Sequence, residues 1–132
     1  KVVAFYAKLT DVYEHLADGQ TIQFDMVITN IGNAYAPTQG KFTVPIRGVY
    51  LLSVSMMSRN ERDPLWCSLV KNGQTLTGLF SSAGGSFSDT QTIVVVLETG
   101  DVVWVMHNPG SPDVHTNSYN SYFAGFLLTE HT

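Results

Sequence analysis

Apolar side chains recur at every second position in short runs separated by turn residues, the period of β-strands and not of helices. Residues 2–10 place Val3, Phe5, Ala7 and Leu9 on one strand face. Residues 21–29 set Ile22, Phe24, Met26 and Ile28 against Gln23, Asp25 and Val27. Residues 48–58 set Tyr50, Leu52, Val54 and Met56 against Val49, Leu51, Ser53 and Ser55. Leu65, Cys67 and Leu69 alternate in 65–71, and Asn72-Gly73 is a strong hairpin signal leading to a return strand at 75–80. Shorter strands are expected at 42–46, where Pro45 points to a sheet edge, and at 102–107. Residues 11–18 carry enough helical signal for one turn at most. Loops are expected at 30–40, 60–64, 81–88 and 108–120. Loops as long as the last are usually functional or disordered.

Two stretches break the alternation. Residues 93–97 are consecutively apolar, and the closing strand, 121–128, has Tyr122, Ala124, Phe126 and Leu128 on one face and Phe123, Gly125 and Leu127 on the other. An isolated antiparallel sandwich should have a wet face. Both strands therefore predict cover on both sides, the second cover being another copy of the chain in preference to the chain's own loops, with Gly125 leaving room for a bulky neighbour to approach the backbone. The pattern predicts an all-β sandwich of jelly-roll or Greek-key type, assembled with closed symmetry. The residues expected at a subunit interface or on two-faced buried strands are Phe5, Tyr50, Leu52, Val95, Tyr122, Phe123, Phe126 and Leu128.

Composition sharpens this reading. The 132 residues suit one domain, 1–132, and only 14% are charged, below the usual quarter. A net charge of −4 and the lack of a basic stripe speak against nucleic acid as partner. No apolar run is long enough to insert in a membrane. Cys67 is the single cysteine, so no internal disulfide can form, and its alternation with Leu65 and Leu69 predicts a buried thiol. The start at Lys1 suggests a trimmed or processed chain. No Gly-x-Ser-x-Gly elbow is present, and the spacing of His107 and His115 matches no zinc motif. The histidines are expected at the surface, and the chain is not expected to be an enzyme.

The spaced residues Phe24, Asn30, Tyr35, Phe42, Gly48, Tyr50, Leu52 and Val54 resemble the globular-head signature of complement C1q. Leu52 and Val54 depart from it, standing where the family has aromatic residues. Asn72-Gly73, the run Gly100-Asp101-Val102-Val103-Trp104 and the closing Phe123-Ala124-Gly125-Phe126-Leu127-Leu128 fit in the same order, with Ala124 where Ser or Thr is usual. The resemblance covers nearly the whole chain. It implies a ten-stranded jelly roll like that of tumour necrosis factor, packed as a compact homotrimer. The 30–40 loop, with Gly-Asn-Ala-Tyr and Thr-x-Gly-x-Phe, looks most like secreted mollusc and other invertebrate members, which commonly lack a collagen stalk. No Gly-X-Y repeat is present here.

That group implies a secreted pattern-recognition molecule or lectin of innate immunity that binds microbial surface glycans. The alternatives are a receptor-binding signalling or adhesion ligand, or an extracellular matrix component. Glycan binding needs aromatic faces and planar amide or carboxylate partners. The region after His107 offers Asn108, Asp113, His115, Asn117 and Tyr119; the earlier loop offers Asn33 and Tyr35, the latter a signature residue with a structural role. Arg59 and Arg62, beside Glu61 and Asp63, could pair the carboxylate of an acidic sugar. The plainer reading of each is a solvated loop. Some family members bind calcium near the trimer axis, for which Asp89 is the one candidate ligand in 86–91; the plainer reading is that Asp89 ends a loop.

Overall fold

The computed structural model describes residues 1–10, 13, 15–60, 62–112 and 116–131, excepting the side chains of Arg59, Asn60 and residues 116–120. Among the described residues there is no helix. Two antiparallel sheets of five strands face each other. The first runs β2 (Met26–Ile31), β1 (Ala4–Lys8), β10 (Thr116–Glu130), β5 (Gly48–Asn60), β8 (Gly85–Leu97). The second runs β3 (Tyr35–Ala36), β4 (Lys41–Thr43), β9 (Val102–His107), β6 (Leu65–Lys71), β7 (Gln74–Ser81). The first and last strands pair at the middle of one sheet, so the chain closes on itself as a jelly roll. Asn72 and Gly73 turn the β6–β7 hairpin, both with positive φ (51° and 88°), as a two-residue turn of this kind requires.

The core is aromatic. Phe5 stacks on Phe42 at 4.6 Å and on Tyr35 at 5.2 Å, and meets Phe123 edge-on at 4.8 Å. Tyr50 meets Phe42 edge-on, and Phe24 packs against Phe123. Each such side chain removed from water contributes about 1.5–3 kcal/mol. The signature pair Asn30 and Tyr35 forms a clasp. Asn30 Nδ2 donates to the Tyr35 carbonyl at 2.9 Å, and the Tyr35 amide donates to Asn30 Oδ1 at 3.2 Å. The Tyr35 hydroxyl donates to the Phe24 carbonyl at 2.6 Å, which lets the ring sit inside the core. Burial raises its pKa.

Several expectations from the pattern are corrected. Met26 and Ile28 are exposed, although Ile22 and Phe24 are buried. The stretch changes sheets: Ile22 bonds to Val105 beside the second sheet, while residues 26–31 join the first, where an irregularity opposite Tyr6 and Ala7 turns Ile28 outward. Pro45 marks no edge, because β4 lies between β3 and β9 and ends at Thr43. Residues 86–88 are strand and not loop: they pair with Arg59, Ser58 and Met57 of β5. Residues 116–120 belong to β10. His107 is fully buried, with Nδ1 3.0 Å from the Ala17 carbonyl and Nε2 3.0 Å from the Pro112 carbonyl. It pins the turn before Gln20 and the segment after β9 to the sandwich; His15 and His131 are exposed.

Candidate binding surfaces

The outer face of the first sheet is set by register. Ile31, Ala4, Phe126, Leu51 and Val94 are successive cross-strand partners on β2, β1, β10, β5 and β8. Together they make an apolar row that crosses all five strands. Three of the five are large and well exposed in the single chain: Ile31 at 52%, Phe126 at 42% and Val94 at 60%. Val96 and Leu128, also exposed, extend the same end of the sheet. The neighbouring rows carry hydroxyls. Ser53 Oγ lies 3.0 Å from Thr92 Oγ1 and 3.3 Å from the Tyr122 hydroxyl, and Thr90 Oγ1 donates to Ser55 Oγ at 2.8 Å.

Pairing divides the eight expected interface residues. Tyr122, Phe126 and Leu128 are on the outer surface, whereas Phe5, Tyr50, Leu52 and Phe123 point into the core and are at most 3% exposed. Val95 is half-buried against that core. Likewise Val94 and Val96 are not covered within the chain, so the apolar run of β8 has one open face. The space at Gly125 is taken by Phe5 and Leu52 of the same chain, not by an outside neighbour.

The solvent face of the second sheet carries an aromatic pair. Trp66 and Phe80 are cross-strand partners on β6 and β7, with ring centroids 4.5 Å apart and an edge-on arrangement, and are 42% and 41% exposed. Ser68 is two residues along the same strand face, and its Oγ donates to Asn108 Oδ1 at 2.6 Å. The Asn108 amide donates to the Trp66 carbonyl at 3.1 Å, fixing this residue beside the pair. The other tryptophan, Trp104, is capped by Lys41, whose Nζ lies 4.6 Å from the ring centroid. Trp66 is on a strand and not in any of the loops where the sequence pattern points to sugar contacts. Its signal was parity: it alternates with Leu65 and Cys67 and therefore faces water.

A third feature is an open cleft of about 510 Å³ between the end of β1 and the segment after β3. Its lining is mixed, with Leu9, Tyr13 and Pro37 apolar or aromatic and Thr10, Gln23, Asp25 and Thr38 polar. Burial opposes ionisation of Asp25, but hydrogen bonds from the Thr10 hydroxyl and amide outweigh it and hold the carboxyl below its usual range.

Of the expected ligand residues, Asn108 lies beside Trp66 and Arg62 is exposed. Asp113, His115 and the side chains of Arg59, Asn117 and Tyr119 lie outside the described residues. Asp89 has work within the chain: its Oδ2 accepts from the Phe80 amide at 3.0 Å, and Gln91 Nε2 approaches both oxygens at 3.3 and 3.4 Å. No three His, Cys, Asp or Glu side chains among the described residues converge to hold a metal. Nor is any helix among them long and apolar enough to cross a membrane.

The sandwich is similar to solved structures. The globular domain of zebrafish complement 1qA protein matches with a TM-score of 0.80 at 21% identity, over 98% of this chain and 99% of that one. Eiger TNF from S. frugiperda matches with a TM-score of 0.81 at 15% identity, covering 99% and 95%. Murine APRIL matches with a TM-score of 0.75 at 15% identity, covering 97% and 100%. In sequence, complement C1q tumor necrosis factor-related protein 3 of Homo sapiens and of Mus musculus is 35% identical over 131 residues, 97% of this chain. The chain spans 52% of their length. Caprin-2 of Danio rerio is 30% identical over 96% of this chain and 14% of its own length. The C1q domain matches residues 4–128. With the fold, the signature clasp and these relatives in agreement, the chain belongs to the C1q domain family.

Proposed function

We propose that this protein is a secreted recognition ligand that works as a homotrimer and binds microbial surface glycans through repeated weak sites. The observation that carries the reading is the apolar row Ile31–Ala4–Phe126–Leu51–Val94. Large contiguous apolar surface is rare on a monomer and marks a contact site. A sister subunit covering this row gains about 25 cal/mol for each Å² of apolar surface withdrawn from water. Three linked copies turn weak single-site binding into avidity on a repetitive surface. The experiment is sedimentation velocity at micromolar concentration together with pull-down on bacteria and a glycan array. A trimer that binds at least one microbial polysaccharide is expected; a single-chain particle, or a trimer blank on both surfaces, overturns the reading.

A second reading has its own support. The 35% identical relatives are named tumor necrosis factor-related, and two of the similar folds are TNF and APRIL. On that reading the chain is a ligand for a protein receptor. Stoichiometric binding to one cell-surface protein, unchanged by competing sugars, would favour it.

A further inference from the structure

We propose that the Trp66–Phe80 pair, with Asn108, is a carbohydrate site that stacks one neutral pyranose ring. The proposal rests on the recognition reading above and names where that recognition occurs.

Three observations point to this ligand class. First, the rings are held ready for contact. The pair is a cross-strand unit on a sheet, and aromatic pairs of this kind reinforce their strands. Lys41 caps Trp104, whereas no cation among the described residues caps Trp66. Second, the ground beside the rings is kept low. Gly78, the cross-strand partner of Ser68, has no side chain, and Ser68 is nearly buried. A flat ligand can therefore reach the aromatic faces. Third, a planar amide waits at the edge. The Ser68 hydroxyl occupies Asn108 Oδ1, which fixes the side chain's orientation and leaves the Nδ2 hydrogens, unpartnered among the described residues, to donate elsewhere. Positions two apart on a strand face are about 6.5 Å apart, within the span of one sugar residue and its hydroxyls.

A pyranose has an apolar face of C–H bonds and a rim of hydroxyls. It can stack on the indole and offer a rim oxygen to Asn108 Nδ2, so both halves of the site are used. A wholly apolar partner would leave the amide hydrogens unmatched, at a cost that burial makes severe. None of Trp66, Ser68, Gly78, Phe80 or Asn108 is charged, so the site selects neutral hexoses over sialylated sugars. It lies across the sandwich from the apolar row, so assembly through the first sheet leaves it facing outward.

The test uses single sugars, so that avidity does not enter. Trp104→Phe leaves Trp66 as the one tryptophan, whose emission is read by exciting beyond the tyrosine absorption band. Titration with methyl α-mannopyranoside and methyl β-galactopyranoside is expected to shift its emission for at least one of them. Yeast mannan or a neutral galactan should bind the wild-type trimer. Trp66→Ala should weaken either interaction about tenfold or more, as truncating a tryptophan at the centre of a contact does, and Asn108→Ala should weaken it less while changing the preference between the two sugars. Circular dichroism and sedimentation of both variants should match the wild type. If the wild type binds polysaccharide and Trp66→Ala binds equally well, the site is elsewhere while the recognition reading stands. If the wild type binds no sugar, that reading itself falls and takes this site with it. If Trp66→Ala loses its oligomeric state, the pair is a subunit contact and the proposal is overturned.

Discussion

Gly125 sits opposite Phe5 in the β1–β10 ladder, and a methyl group on it would lie 2.9 Å from Phe5 Cε1 and 2.7 Å from Leu52 Cδ2. The missing side chain lets the first aromatic ring of the core cross under the closing strand. Overpacking at such a place forces side chains off their rotamers or shifts the backbone. Gly125→Ala is expected to destabilise the fold by about 1–3 kcal/mol in urea denaturation. Unchanged stability would show that Phe5 and Leu52 can move aside.

Val94 and Phe126 belong to the apolar row but not to the core, so a charge at either is cheap for the single chain. Surface substitutions usually change stability by about 0.5 kcal/mol or less. Val94→Lys and Phe126→Lys are each expected to reduce the sedimenting particle toward one chain at micromolar concentration, with circular dichroism unchanged. Wild-type sedimentation in both variants would place the subunit contact elsewhere.

Asp89 holds the edge strand β7 through the Phe80 amide. Asp89→Ala should cost about 1.5–3 kcal/mol, the net worth of a hydrogen bond to a charged group. Because its oxygens already accept from Phe80 and Gln91, millimolar calcium is expected to leave the wild-type Tm unmoved. A calcium-dependent rise in Tm that Asp89→Asn abolishes would assign the ion to this carboxylate after all.

Cys67 is fully buried, and that burial pushes its thiol up to about 12. The thiolate is the reactive form, so iodoacetamide at pH 8 should label the folded protein negligibly and the unfolded protein quickly. A raised folded pKa means the native state holds the proton more tightly. Its contribution to stability is complete below the unfolded thiol's ordinary value and is lost as pH rises toward about 12. Cys67→Ala should flatten that alkaline slope; rapid labelling of native protein would contradict the burial.

Much of the architecture is legible in the sequence. Alternation marked Tyr50, Leu52, Val54 and Met56 as one face of β5, and all four are buried. It placed Cys67 correctly among Leu65 and Leu69, and Asn72-Gly73 located the hairpin. The misreadings share a cause. Met26 and Ile28 continue the period of Ile22 and Phe24, but the chain changes partner between them, and a local pattern carries no record of that switch. His107 looked like a surface residue because its two partners, Ala17 and Pro112, are carbonyls contributed by neighbouring segments. The aromatic site went unread: alternation with Leu65 and Cys67 could have put Trp66 toward water, but nothing local joined it to Phe80 and Asn108.

The sequence alone determined which segments are strands and which side chains can share a face, because a pleated strand alternates whatever its neighbours are. Only the tertiary structure decided which face is wet, since that depends on who pairs with whom. Ile31, Ala4, Phe126, Leu51 and Val94 are scattered from one end of the chain to the other, and they become one surface only when five strands lock in register.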